Sequence, residues 1–345
     1  MIRNAKVTIA IAAIFVLVAV GLFRTPAVQD FVFARLAASL VQDAQQDIDG
    51  IQVVVCGSAS PLGNTMDRAQ ACIAVMTREH LFLIDVGARS PTRIAQAQLP
   101  LDRLSGVFLT HFHSDHIAGL ADVNLNSWVA GRQQNMQVYG PEGVQTVVDG
   151  FNQAYALDRG YRTGHHGEGL LPAVLGPMKA NTLDTGVVWQ DESMTVSSFM
   201  VEPPPISPTL GYRFDYQGRS VVISGDTNAT EKLFAAATGA DLLFHDALAR
   251  HLLNVMQQTM RDSGRNNLAQ LIGDVTEYHA DSLTLEDAAK AADIKQLVLY
   301  HLVPTPMNAI AENLFLRGLS DEVILAHDLQ LFELPAHSDT LIIHP

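Results

Sequence analysis

The segment Thr110-His111-Phe112-His113-Ser114-Asp115-His116 follows directly on the apolar run Gly106-Val107-Phe108-Leu109. That run reads as a short buried strand, and a strand that ends in ligating side chains holds them rigidly. Side chains two apart on extended backbone point to the same side, so the imidazoles of His111 and His113 converge on one ion. Asp115 and His116 come as the chain turns into Ile117-Ala118-Gly119-Leu120, within reach of a second ion. Imidazole with carboxylate suits zinc, and less selectively manganese or iron. Four donors at this spacing after a strand are hard to obtain by accident. The chain must therefore fold so that distant segments complete the coordination of at least one divalent cation.

His111-Phe112-His113-Ser114-Asp115-His116 resembles the His-x-His-x-Asp-His signature of metallo-β-lactamase-fold hydrolases, and the resemblance runs from about Ile51 to about Phe332. Ser224-Gly225-Asp226-Thr227 resembles the turn that supplies a carboxylate between two metals. Leu299-Tyr300-His301-Leu302 resembles the strand end that carries the last histidine ligand. Each follows an apolar strand, Val221-Val222-Ile223 and Leu297-Val298-Leu299. Gly211-Tyr212-Arg213-Phe214 and Tyr278-His279-Ala280-Asp281-Ser282 are similar to the branch that holds ribonuclease Z and arylsulfatase-like enzymes. The resemblance implies His111, His113, Asp115, His116, Asp226 and His301 as metal ligands and one or two Zn2+ ions as cofactor. It further implies that Asp115 orients the nucleophile and that His279 donates a proton, steadied by Asp246 of the pair His245-Asp246. A metal at such a site lowers the pKa of a coordinated water from about 16 towards 7, and a general acid adds about 10²–10⁴-fold. The residues alone leave His279 open as a surface histidine at a helix start, His245 as a structural strand-end group, and Arg213 as a strand arginine rather than a substrate contact.

One departure from the family pattern bears on the metals. The branch has a further histidine ligand shortly before Gly-Tyr-Arg, whereas this chain reads Val201-Glu202-Pro203-Pro204-Pro205, with Pro203 at the histidine's place. Proline cannot ligate, and Glu202, one residue away on extended backbone, faces the other side. The first site is then left with His111, His113 and a share of Asp226, and the second, with Asp115, His116, Asp226 and His301, is expected to fill more readily. His165-His166, in Gly164-His165-His166-Gly167-Glu168-Gly169, reads as a Gly-rich insertion that lines the site mouth, binds substrate or lends a ligand to the depleted site, or else as a flexible loop with two exposed imidazoles.

Residues 1–24 read as an uncleaved signal anchor, with a removed signal peptide as the alternative. Arg3 and Lys6 precede an uncharged stretch from Val7 to Phe23. It is slightly short of the ~20 residues that span a bilayer but longer than a signal-peptide core. Positive charge keeps that end in the cytoplasm, so the catalytic domain, residues 51–345, is expected outside it, on the periplasmic side of an inner membrane. Residues 25–50 read as a linker helix, with Val28, Phe31, Val32, Leu36, Leu40 and Val41 at helical spacing. Cys56 and Cys72 end one expected strand and open the next, as a disulfide or as two buried thiols.

The chain carries 36 acidic and 22 basic residues, a net charge of −14. Polynucleotide binding relies on Lys and Arg, and no basic cluster stands out. The expectation is therefore a small ester substrate (an arylsulfate, a phosphodiester or a lactone), no nucleic-acid partner, a membrane contact through residues 7–23, and a second copy of the chain as a candidate partner. A scaffold that has lost catalysis, or a redox or thiol enzyme on the same fold, stays open. Apolar strand candidates early and late, with helices between them, give an α+β chain. The resemblance makes it an αββα sandwich preceded by the anchor helix.

Overall fold

The computed structural model describes residues 20–40, 48–63, 65–201 and 207–344. The chain divides into two units, Met1–Gln46 and Asp47–Pro345. In the first, a helix spans Pro26–Leu40 and leaves Phe31, Phe33 and Leu36 exposed. Among the described residues no helix is long and apolar enough to cross a membrane. Positions 7–19 of the expected anchor lie outside the described residues, so the anchor gains no support.

The second unit is built on fifteen strands: β1 (Ile51–Gly57), β2 (Cys72–Met76), β3 (Leu81–Ile84), β4 (Leu104–Phe108), β5 (Gln137–Gly140), β6 (Lys179–Thr182), β7 (Gly186–Gln190), β8 (Met194–Val201), β9 (Thr209–Tyr216), β10 (Arg219–Ile223), β11 (Leu242–Leu248), β12 (Gln296–Val303), β13 (Ile324–Leu325), β14 (Leu331–Leu334) and β15 (Ile342–His344). They form an eight-stranded sheet in the order β15-β14-β1-β2-β3-β4-β5-β6 and a seven-stranded sheet in the order β13-β12-β11-β10-β9-β8-β7. Each sheet is antiparallel on one side and parallel on the other: β3 to β6 in the first, β10 to β13 in the second. Parallel neighbours need crossover connections, and helices supply them, among them Ser90–Gln96, Leu120–Val129, Glu231–Ala237 and Ser282–Ala291.

Side chains on a strand alternate between its faces, and both faces here are covered. In β3, Phe82 and Ile84 point between the sheets, while Leu81 and Leu83 meet the helical layer. Phe108 packs at the centre of the inter-sheet core, its ring 5.1 Å from Tyr212 and 5.8 Å from Phe214 of the other sheet. Val222, Leu243, Leu297 and Leu299 turn outward onto Leu233, Phe234 and Leu285 of the second helical layer. The result is helix, sheet, sheet, helix, the expected αββα sandwich.

Burial on two faces explains why the core strands read as plain apolar runs. β5 and β6, with Gln137, Lys179 and Asn181, carry no such run; pairing of β5 with β4 and of β6 with β5 makes them strands. The expected Gly-rich loop around His165 is a correction: helix Ala156–His166 occupies it, with both histidines exposed in its last turn. Tertiary context and the Asp158–Arg162 pair, 2.8 Å apart one turn along, override the weak helix propensity of Gly160 and Gly164. Cys56 and Cys72 are joined in a fully buried disulfide across the antiparallel pair β1–β2.

Candidate metal centre

The site gathers at the carboxyl ends of parallel strands from both sheets. β4 ends at Phe108, and Thr110 to His116 follow it. Asp85 stands just past β3, with a left-handed φ of 56°. Its carboxylate accepts the Thr110 amide (2.9 Å), the Thr110 hydroxyl (2.9 Å) and His116 Nδ1 (2.7 Å). The Thr110 oxygen in turn accepts from His111 Nδ1 at 3.0 Å. This network puts both Nδ1 protons on the inner side and leaves each Nε2 lone pair for the site, the usual arrangement behind a metal-bound imidazole.

The second sheet supplies the rest. Gly225, just after β10, has φ +65°, and a Cβ there would lie 2.9 Å from the Thr110 Cβ. Only glycine lets the two strand ends approach closely enough to bring Asp226 against the β4 motif. His301 sits at an irregularity of β12: Asp246 pairs with Tyr300 and Ala247 with Leu302, so His301 is the extra residue of a bulge. Its φ of 44° is costly for a histidine, and such strain concentrates where a side chain must be aimed.

Three sets of donor atoms each fall within 4.8 Å of one another: His111, His113 and Asp226; Asp115, His116 and His301; Asp226, His279 and His301. Asp226 stands between the first two. Its Oδ2 is 3.7 Å from His111 Nε2 and 3.4 Å from His116 Nε2, and its Oδ1 is 3.5 Å from His301 Nδ1. Asp115 meets His301 Nε2 at 3.0 Å. His111 Nε2, His116 Nε2, His301 Nδ1 and Asp226 Oδ1 are buried with no hydrogen-bond partner. Buried polar atoms are normally paired. Four convergent orphans with an imidazole–carboxylate donor set therefore fit Zn2+. All of the second set is buried, whereas His113 of the first is exposed.

The protonation pattern reflects this crowding. Burial opposes a charge on His116, but the carboxylates of Asp226, Asp85 and Asp115 outweigh it and hold the ring well above the usual histidine range. His301 is raised in the same way, against its own burial, by Asp226 and Asp115. Asp226 and Asp115, although buried, are held below the usual carboxylate range, Asp226 by His301 and His116 and Asp115 by His116 and His301. His111 is lowered by burial and by His116.

His279 lies against the same centre. Its Nδ1 meets Asp246 Oδ2 at 2.8 Å, and its ring stacks 5.2 Å from that of His301. Asp246 is fully buried, and its other oxygen accepts the Thr227 amide. His245 turns its Nδ1 to the Asp246 carbonyl and joins none of the donor sets. A cavity of about 270 Å³ opens beside these groups, lined by Pro61, Leu62, Leu271, Val275, Tyr278 and Val303 as well as by His113, Asp115, Asp226, His279 and His301.

The structure thus brings together all six expected ligands, with His279 and Asp246 beside them. Arg213 is not among them: it bonds Asp215 and the carbonyls of Ala236 and Thr238, as a structural strand arginine does. His165 and His166 line no part of the cavity. Glu202 and Pro203 lie outside the described residues. Asp85 escaped the sequence reading; its signal was the abrupt end of the apolar run Leu81-Phe82-Leu83-Ile84 in a single carboxylate.

A family model described as a beta-lactamase superfamily domain matches residues 80–302. Ribonuclease Z of Mycobacterium sp. (strain KMS) is 33% identical over 256 residues, 74% of this chain and 85% of that protein. The chain belongs to the metallo-β-lactamase superfamily, in its ribonuclease Z branch. Solved structures of this superfamily share the fold. The metallo-beta-lactamase fold protein YhfI from Bacillus subtilis aligns with a TM-score of 0.60 at 16% identity, covering 83% of this chain and 100% of that one. The short form of human tRNase Z aligns with a TM-score of 0.55 at 20% identity, covering 82% and 99%. These relatives correct one expectation. The exclusion of a nucleic-acid partner, drawn from the net charge of −14, is overturned by the identity to proteins named ribonuclease Z. Net charge sums the whole surface and does not report the local field at one cleft.

Proposed function

We propose that the chain is a metal-dependent hydrolase of phosphodiester bonds. The observation that carries this reading is Asp226 standing between two sets of buried donors, one centred on His111 and His113 and the other on Asp115, His116 and His301. Paired metals bracketing the scissile phosphate are a common design for in-line phosphodiester cleavage. Of the three ester classes expected from the sequence, the phosphodiester is the one that agrees with relatives named ribonuclease Z, which makes RNA the first substrate to try. A small diester offers the same bond.

When bound, Zn2+ supplies Lewis-acid stabilisation of the phosphoryl oxygens and makes a coordinated water acidic enough to attack near neutral pH. The chain's own residues do the rest. His111, His113, Asp115, His116, Asp226 and His301 hold the ions. Asp115 would also orient the attacking water. His279, fixed through Nδ1 by Asp246, presents Nε2 to the departing oxygen and delivers a proton there. The wholly buried second set would be expected to fill before the set that includes exposed His113.

Turnover of an RNA with a 3′ extension, of bis(p-nitrophenyl) phosphate, of an arylsulfate and of a lactone, each with and without chelator, tests the reading. The diesters are expected to react and the chelator to stop them. His279→Ala is expected to lower kcat by about 10²–10⁴-fold while metal content stays as in the wild type. Zinc-loaded protein that cleaves neither diester would end this reading, and loss of metal in His279→Ala would make His279 a ligand instead.

A further inference from the structure

The cavity beside the centre has a chemistry of its own. Leu271, Val275 and Tyr278 form one wall, contributed by helix Asn266–Asp274 and the turn Val275–Glu277; Pro61, Leu62 and Val303 form the other. Among the described lining residues there is no lysine or arginine. Apart from the groups of the centre, the polar groups of the described lining are the Tyr278 hydroxyl and Ser60, whose hydroxyl is already given to the Leu302 carbonyl at 2.7 Å. Such a space suits an uncharged apolar group and disfavours a second phosphate, which would be desolvated there with no cation to meet it. At about 270 Å³ it falls just under the range of about 300–1,000 Å³ of ordinary ligand pockets, so it has room for one ring system and not for a run of nucleotides.

Position identifies which side of the substrate the ring belongs to. Tyr278 immediately precedes His279 in the chain, Val275 stands four residues before it, and all three line the cavity. We propose that this cavity seats a flat, uncharged ring carried by the alcohol that leaves the phosphorus. The inference rests on the phosphodiesterase reading above. In the reaction, water oxygen forms the new P–O bond and the P–O bond to the ring-bearing alcohol breaks. The His279 proton goes to the departing oxygen, and the attacking water restores it. The products are a phosphate monoester and the alcohol. Two sources carry such a ring: a nucleoside, whose base enters the cavity, and a simple aryl alcohol.

Leu271 is 53% exposed and Leu62 is half-buried, so Leu271→Asn and Leu62→Asn test the walls without threatening the fold. For each substrate the ratio of variant to wild-type kcat/KM removes its intrinsic reactivity. Phenyl and methyl diesters form one arm; dinucleotides whose leaving nucleoside keeps or lacks its base form the other. The ring-bearing member of a pair is expected to lose at least about tenfold more than its partner, the range typical of apolar pocket contacts, and the arm in which this occurs names the source. Binding of phenol and of a free nucleoside, followed by NMR on the metal-free protein, gives a readout independent of turnover and is expected to weaken in both variants. Equal losses within each pair, or ring binding unaffected by both variants, would overturn the cavity proposal even if diesters are cleaved. Failure of all diesters with ring binding intact would instead count against the phosphodiesterase reading.

Discussion

Asp85 makes no contact with the cavity, yet it fixes His116 and, through Thr110, His111. Replacing it with alanine frees both rings to turn, and zinc affinity is expected to fall about 10–100-fold; competition against a chelator measures it. The proton balance at the same residues gives a pH dependence. His116 and His301 keep their protons to higher pH than free imidazole, while Asp115 and Asp226 are ionised throughout that window. Zinc must displace those protons, so affinity is expected to rise with pH and to level off only above the ordinary histidine range near 6.5. A plateau already reached at pH 6 would contradict this. The ligands themselves were legible because four of them share one strand end and the others follow apolar runs. Asp85 was not, since a lone carboxylate after a strand looks like any turn residue until Thr110 is seen to close on it.

Among the elements, the segment before helix Ser282–Ala291 sets where His279 stands. Asp281 caps that helix by accepting the Leu283 amide, and it also receives Arg250 at 3.0 Å. The Leu248 amide bonds the neighbouring Ala280 carbonyl at 2.8 Å, which ties the segment to the end of β11. Asp281→Ala is expected to cost about 1 kcal/mol of stability in denaturant unfolding and to lower kcat through His279 with little change in metal content. No change in either would mean that the backbone bond to β11 suffices. The core strands were readable because burial on both faces demands apolar runs, as in β3 and in Val221-Val222-Ile223 of β10. β5 and β6 were not, because their neighbours rather than their composition make them strands. The bulge that aims His301 left no mark in sequence at all: Leu299-Tyr300-His301-Leu302 reads as even strand, and only pairing with β11 reveals the extra residue.

Over the whole molecule the net charge was plain in the sequence and its meaning was not. A sum of −14 gives no account of a cleft whose charges are set by a handful of buried groups and by the cations they gather. The two sheets, by contrast, have a direct mechanical reading. One contributes His111, His113, Asp115 and His116; the other contributes Asp226 and His301. An ion held between them binds the assembled sandwich and not the open chain, which stabilises the fold by about 4 kcal/mol when free metal stands a thousandfold above Kd. Removing it is expected to lower Tm by several degrees in calorimetry; an unmoved Tm would show that the sheets hold as firmly without it. An ion bound there would act as a rivet as well as a reagent. Zinc starvation would then cost more than turnover: the less stable metal-free chain would spend more time unfolded and open to proteases.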